Sequence, residues 1–359
     1  MVDQKKRKQT KSFDNQFLSG PDYDRQRPGK QQKTSTQDQS ASHKSITAGK
    51  PRTYTVSVAI PCSIIDACPT LDLKTILAGQ IARTLAINNV DEIVIYEDRS
   101  SSNNTTSNQK INPNLFLARV FQHMETPQYM RKTLVPFHED LKAAGLLPRL
   151  EVPHHPSMED MTIYREGVTV GTYHKEGGSL VDIGCFRRAK VDRLLQPGVR
   201  VTLDLASPVA AKDTRKGQTP LSATIVSPKT PREKAGLYWG YNIRLASSFS
   251  RVITESPYND GYDCTIGVSD KSGQDIYATS SKPKASFKHL LVAFGAPGGG
   301  LEEAIEADED LKVGSDDAAE IFDLFLNPGQ NIGTRYLRLE ESLPMVMAVL
   351  RPTILKNVP

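Results

Sequence analysis

His289-Leu-Leu-Val-Ala-Phe294 runs directly into Gly295-Ala-Pro-Gly-Gly-Gly300, and further along Ile321-Phe-Asp-Leu-Phe-Leu326 runs into Asn327-Pro-Gly-Gln-Asn-Ile-Gly333. Each is a short apolar strand ending in a glycine loop that leads into a helix-like segment. The second such helix is expected over Tyr336 to Leu350, with an Arg338-Leu-Glu-Glu341 head. Glycines at a strand end let the backbone turn tightly and offer bare N–H groups to a ligand. Two such loops at neighbouring strand ends would make one pocket. Neither reads G-x-G-x-x-G or G-x-x-x-x-G-K-[ST], so the pocket is not expected to be a standard dinucleotide or nucleoside-triphosphate site. A small-molecule cofactor of another kind is the reading that remains.

Working outward, Tyr54-Thr-Val-Ser-Val-Ala-Ile60 alternates as a strand and turns at Pro61-Cys-Ser63. Residues 71–88 place apolar side chains at 73, 76, 77, 81, 85 and 87, close to the helical period, and Asp91 to Tyr96 is a compact Ile/Val strand. Strand, helix, strand is a βαβ unit, which implies a parallel sheet. The polar run 100–108 reads as a surface loop, and Pro113 to Met124 and Thr126 to Lys132 read as helices.

From about Leu150 the pattern changes to short β-like runs: 167–170, 179–184, 189–192, 199–204 and 222–226. Their spacing suggests a small Greek-key barrel of OB type. Such barrels bind single strands through a basic groove and stacking residues. Arg187, Arg188, Lys190 and Arg193, with Tyr164, Tyr173 and Phe186, are the candidates here. After Pro228 the α/β pattern resumes: a strand over Gly236 to Ala246 carrying the single Trp239, a helix over Phe249 to Glu255, and a strand over Tyr262 to Gly267. The expected organisation is therefore a basic tail (1–52), an α/β domain in two halves (53–149 and 231–359), and an inserted all-β barrel (150–230).

The formal charge of +4 is uneven: residues 1–52 hold twelve Lys/Arg against five Asp, a net of +7, leaving 33 basic and 36 acidic groups elsewhere, a net of −3. The tail is nearly free of large aliphatics, so burial cannot offset its ordering entropy. Within it Lys5-Lys-Arg-Lys8 reads as a nuclear-localisation or nucleic-acid patch, or as a plain solvated extension. No apolar run approaches a membrane span, and the charged N-terminus has no apolar core of a secretory signal, so a soluble intracellular protein is expected. Cys62, Cys68, Cys185 and Cys264 are scattered without a C-x-x-C pair, and His154-His155 lacks partners at a metal spacing. Reduced thiols and no metal are expected.

In this order, Ser57-Val-Ala-Ile-Pro-Cys-Ser63, Leu77-Ala-Gly-Gln-Ile-Ala-Arg83, Asp91-Glu-Ile-Val-Ile95, Pro127-Gln-Tyr-Met-Arg-Lys132, Ala235-Gly-Leu-Tyr-Trp-Gly-Tyr241, Asp260-Gly-Tyr-Asp263 and the C-terminal loop pair resemble the SPOUT superfamily of methyltransferases. The match is to its eukaryotic and archaeal branch with an OB-like insertion, over residues 54–355. The resemblance implies an α/β fold with a parallel sheet, a C-terminal trefoil knot, S-adenosylmethionine in that knot, and a homodimer with composite active sites. It also implies cofactor contacts from Ser269 and Lys271 in one loop, Phe294, Gly295, Gly298 and Leu301 in a second, and Asn327, Gln330, Ile332, Gly333 and Leu339 in a third. Arg83 falls where superfamily members keep an arginine beside the reacting nucleotide, and Arg338 and Glu340 head the knot helix as further catalytic candidates. The chain departs from the branch where lysine replaces arginine at Lys271 and leucine replaces threonine at Leu339, losing a bidentate fork and a hydroxyl. The expected function is an S-adenosylmethionine-dependent RNA methyltransferase acting on ribosomal RNA bases in the nucleus or nucleolus, with uridine N3 as an acceptor. A non-catalytic RNA-binding scaffold that retains the fold is the alternative.

Overall fold

The computed structural model describes residues 49–98, 111–157, 160–172, 177–209, 219–278 and 286–357. Lys5-Lys-Arg-Lys8, the polar run 100–108 and Tyr173 lie outside the described residues.

Strand β1 (Thr55–Pro61) is buried along its whole length and leads to α1 (Leu71–Ile87). That helix starts where the Thr70 hydroxyl accepts the Leu73 N–H at 3.3 Å, with Asp72 in the first turn facing the positive end of the helix dipole. After β2 (Glu92–Tyr96), α2 (Pro113–Glu125) begins with proline at its first position, where no intrahelical N–H is needed, and the Asn112 side chain accepts the Leu115 N–H at 3.2 Å. The short α3 (Gln128–Leu134) follows. Six strands come next: β3 (Thr162–Thr172), β4 (Ser179–Asp182), β5 (Ala189–Val191), β6 (Arg200–Val209), β7 (Leu221–Ser222) and β8 (Thr224–Val226). The chain then runs through α4 (Thr230–Ala235), β9 (Asn242–Ala246), α5 (Phe249–Thr254), β10 (Cys264–Val268), β11 (Gln274–Asp275), β12 (His289–Phe294), α6 (Gly300–Glu306), β13 (Leu324–Asn327) and α7 (Leu339–Lys356).

Seven strands form one sheet in the order β11-β13-β10-β12-β1-β2-β9, and every pairing in it is parallel. Alternate residues supply two cores. Val58, Ile60, Ile93 and Val292 pack with Ile81 and Leu85 of α1 and with α2 and α7, while Ala59, Val94, Leu291 and Ala293 pack with Phe249 of α5 and Leu301 and Ile305 of α6. Burial on both faces explains why these strands read as nearly continuous apolar runs.

The second sheet has the order β7-β5-β4-β3-β6-β8. The expected run 222–226 divides at Ala223: β7 pairs with β5 at one edge and β8 with β6 at the other. With a single residue between the two edge strands, the sheet must curl until its edges nearly meet. Val181, Ile183, Val191, Val201 and Leu203 fill its interior.

Buried polar groups weld the two sheets. Arg200 of β6 donates to both oxygens of Glu125 at the end of α2, at 2.6 and 2.8 Å, and through Nε to Glu166 of β3 at 2.7 Å. Glu166 also accepts from Thr202 at 2.6 Å and from the Trp239 indole. This network accounts for one departure from the sequence reading. Residues 236–241 are not strand, because Gly236 and Gly240 are left-handed (φ 63° and 85°). The turns they make send Tyr238 to the Val90 carbonyl, Trp239 to Glu166 and Tyr241 to the Phe121 carbonyl. Arg52, expected within the basic tail, lies in the α/β layer with a bidentate pair to Asp91, which Arg232 also meets at 3.0 Å.

Candidate functional site

The carboxyl ends of β10, β12 and β13 lie side by side, so the loops that follow them converge, as expected for ligand sites of open parallel sheets. Between them is a small cleft, open to solvent, walled by Val268, Phe294 and Leu339 and edged by Ser269, Asp270 and Gly295. The two glycine loops thus meet at one place, and the loop at 269–273 closes the third side.

Gly295 is required by close approach: a Cβ there would lie 2.1 Å from both Gly300 C and Leu301 N. Gly298 and Gly300 are left-handed, with φ of 79° and 68°, so the loop folds back on itself and Gly300 N–H donates to the Ala296 carbonyl at 2.9 Å. The result is a backbone cradle at the head of α6. Ser269 is buried and donates to Glu302 at 2.6 Å, and Ser272 donates to the other oxygen of Glu302 at 2.6 Å. Asn327 accepts the Gly329 N–H at 2.7 Å, which shapes the third loop, and Asp270 accepts the Leu337 N–H at 3.0 Å, which draws the chain before α7 across the cleft.

Of the residues expected to hold the cofactor, Ser269, Phe294, Gly295 and Leu339 line this cleft. Lys271 instead reaches out to Glu303, with Nζ 2.7 Å from the carboxylate, both side chains largely exposed. Replacing Lys271 with alanine is therefore expected to change stability by less than about 1 kcal/mol in urea unfolding, since exposed pairs contribute little. Leu301 is a core residue, fully buried against the α5–α6 face. Gln330 and Gly333 are exposed, and Ile332 is half-buried against Gly329. The helix after them starts at Leu339 rather than Tyr336, because Glu341 accepts the Arg338 N–H at 2.9 Å and fixes the helix start there. Arg338 is an exposed cap residue, 3.7 Å from Glu340, and neither lines the cleft walls named above.

Arg83 sits elsewhere. Its guanidinium donates to the Arg149 and Leu150 carbonyls, the latter at 3.3 Å, and it lines a depression with Tyr54 and Asn89 at the amino ends of β1 and β2. Within one chain it does not reach the glycine loops. On the second sheet Arg188 and Arg193 are exposed, Arg187 donates to the Thr219 carbonyl at 2.7 Å, and Lys190 is half-buried on β5. Phe186 beside them is 60% exposed, whereas Tyr164 is buried against Trp239 and offers no open ring face. His154 is buried between Glu125 and Trp239, in a structural place. Among the described residues no group of His, Cys, Asp or Glu is arranged to hold a metal, and no helix is long and apolar enough to cross a membrane.

Sequence reasoning missed Asp270, which lines this cleft, and Glu302, which holds Ser269 and Ser272. Isolated carboxylates and hydroxyls carry no local signal, and these matter only through which strand ends adjoin.

The cleft thus sets the apolar walls of Val268, Phe294 and Leu339 beside the 295–300 turn. Residues 55–350 match the family described as "Putative RNA methyltransferase". The chain is 40% identical to a human protein named 28S rRNA (uridine-N(3))-methyltransferase, over 93% of this chain and 87% of that protein. It is 42% identical to a Mus musculus protein of the same name, over 84% of this chain and 77% of that one, and 36% identical to a Drosophila melanogaster protein of the same name, over 86% and 64%. A match of this length, on a parallel sheet whose strand ends build the cleft, means that the chain belongs to this RNA methyltransferase family, and the resemblance read from its motifs is borne out.

Proposed function

We propose that this enzyme methylates N3 of a uridine in large-subunit ribosomal RNA, with S-adenosylmethionine held in the cleft between the 269–273, 295–300 and 327–337 loops. The observation that carries the reading is the tight glycine turn at Gly295 and Gly300, which together with Phe294 and Leu339 lines the cleft where the three loops converge. The acceptor is supported by the mammalian and fly relatives, which are named for uridine N3 of 28S rRNA. When bound, S-adenosylmethionine supplies an electrophilic methyl group. The chain's own work is to orient, to exclude water, and to receive a proton.

A trefoil knot belongs to the same proposal. It is supported by the path after β13, which is tied to Asp270, and by α7, which ends where Asn357 pairs in both directions with Phe287 of the β11–β12 connection. An OB-like barrel is supported by the nearly closed second sheet, with Arg188, Arg193 and Phe186 exposed for RNA. A homodimer in which a second subunit brings Arg83 to the cleft would complete a composite site. The run Lys5-Lys-Arg-Lys8 supports action in the nucleus, at the nucleolus.

Isothermal titration of the full chain with S-adenosylhomocysteine is expected to give stoichiometric binding. Incubation with large-subunit RNA from cells lacking the enzyme is expected to yield 3-methyluridine by nucleoside mass spectrometry. Absence of cofactor binding at millimolar concentration would leave the RNA-binding scaffold as the reading.

A further inference from the structure

Beside the cleft lies a wider recess at the carboxyl ends of β1, β2 and β12, lined by Ser63, Asp66, Asp98, Glu303 and Tyr336 together with the 296–300 loop. The two hollows share Ala296 and Gly300, so the recess adjoins the cleft across the 296–300 turn.

Asp98 stands two residues beyond β2 and is fixed from the turn after β1. Its Oδ1 accepts the Ser63 N–H at 3.2 Å and the Cys62 thiol at 3.5 Å, and its Oδ2 accepts the Ser63 hydroxyl. Burial and then the Asp98 charge push the Cys62 thiol up, so it stays a neutral donor at neutral pH. A carboxylate has about four acceptor sites, and among the described residues these three donors leave one free on Oδ2. The neighbouring acids are otherwise engaged: Glu303 pairs with Lys271, Glu302 holds Ser269 and Ser272, and Asp66 has an interaction of its own. Tyr96 is buried beneath and donates to the Phe294 carbonyl at 2.7 Å.

We propose that Asp98 is the general base that removes the N3 proton of the target uridine, held in position by Ser63; this rests on the reading of uridine N3 as the acceptor. The N3–H of a uracil is a weak acid that stays protonated at neutral pH, so a nucleophilic N3 requires that proton to leave. The N3–H bond breaks, the proton passes to the free site on Oδ2, and the electron pair remains on N3 as the nucleophile. The resulting carboxylic acid then releases the proton to water. A positioned base of this kind contributes about 10²- to 10⁴-fold.

The test uses the full chain and large-subunit RNA transcripts made with uridine or with 5-fluorouridine, whose N3–H is more acidic. Asp98→Asn keeps an acceptor for the Ser63 N–H. It is expected to bind S-adenosylhomocysteine like wild type in calorimetry, yet to form 3-methyluridine about 10²-fold more slowly at neutral pH. The deficit is expected to shrink on the 5-fluorouridine transcript and as the pH is raised. Ser63→Ala, which removes one of the three donors, is expected to show a smaller deficit with the same rescue. Wild-type rates in Asp98→Asn, or an equal deficit on both transcripts, would overturn the assignment of the base. A wild-type protein that methylates N3 on neither transcript would overturn the acceptor reading and the base with it, so the two failures are told apart.

Discussion

Alanine at Gly295 is expected to lower stability by about 3 kcal/mol and to weaken S-adenosylhomocysteine binding by roughly a hundredfold, a large loss for one added methyl group. The new Cβ would stand 2.1 Å from Gly300 C and Leu301 N, which are backbone atoms and cannot rotate aside. Relief requires the head of α6 to move. That head is anchored by Leu301 and Ile305, both fully buried, and by Glu302, which holds the Ser269 hydroxyl at 2.6 Å. Any shift therefore opens the cradle and also loosens the 269–273 loop on its far side. Gly314→Ala is the control, since a Cβ there meets nothing within 4 Å. Urea unfolding and calorimetric titration of the two variants separate the effects. Unchanged binding in Gly295→Ala would remove this loop from the cofactor site.

Arg200→Ala is expected to cost about 3 to 5 kcal/mol at neutral pH, a large part of the stability of an ordinary domain. The guanidinium bridges two buried carboxylates, Glu125 of the α/β layer and Glu166 of the second sheet, and its removal leaves both charges without their main partner. Burial alone would raise the Glu125 carboxyl, but hydrogen bonds from Arg200 and then His154 outweigh it and hold the group far below the usual carboxylate range. A depressed carboxylate contributes stability that is complete above the unfolded value of about 4.3 and is lost as the pH falls below it. Two histidines act at higher pH with the same sign. Burial and then His154 lower His155 to about 3, and burial and then Arg131 lower His123 to about 4, so both stay neutral in the fold while the unfolded chain takes up protons near 6.5. The stability measured in urea is thus expected to fall from pH 7 to pH 5, by about 1 to 2 kcal/mol through His155, and to fall again below pH 4. In Arg200→Ala the second decline should flatten, because Glu125 then titrates closer to its unfolded value. Double substitution with Glu125→Gln is expected to cost less than the sum of the single changes, since both act on one pair. Additive losses would show that the two residues do not share their energy.

Some of this was legible in the chain and some was not. The parallel sheet follows from runs such as Val56 to Ile60 and Leu290 to Phe294, because a strand buried on both faces must be apolar throughout. The glycine loops were legible too, since Gly295 and Gly300 mark places where a side chain has no room. Of the strand expected over Gly236 to Ala246 only Asn242–Ala246 forms, because, although a run of Leu, Tyr, Trp and Tyr has the local preference of a strand, left-handed Gly236 and Gly240 turn those rings toward Val90, Glu166 and Phe121. Residues 222–226 divided at Ala223 because pairing partners, not propensity, decide where a strand ends.

By itself the sequence determined the two-sided parallel sheet, the glycine loops at its strand ends and the kinship of the chain, because apolar periodicity, glycine placement and ordered motifs are properties of neighbours along the chain. Only the tertiary structure decided that Leu301 serves the core and Arg83 the opposite end of the sheet, and that Asp98, Ser63 and Glu302 stand at the cleft and its neighbouring recess. Those assignments depend on which strand ends lie side by side, and contacts between residues such as Ser63 and Asp98 or Ser269 and Glu302, more than thirty positions apart, leave no mark in local pattern.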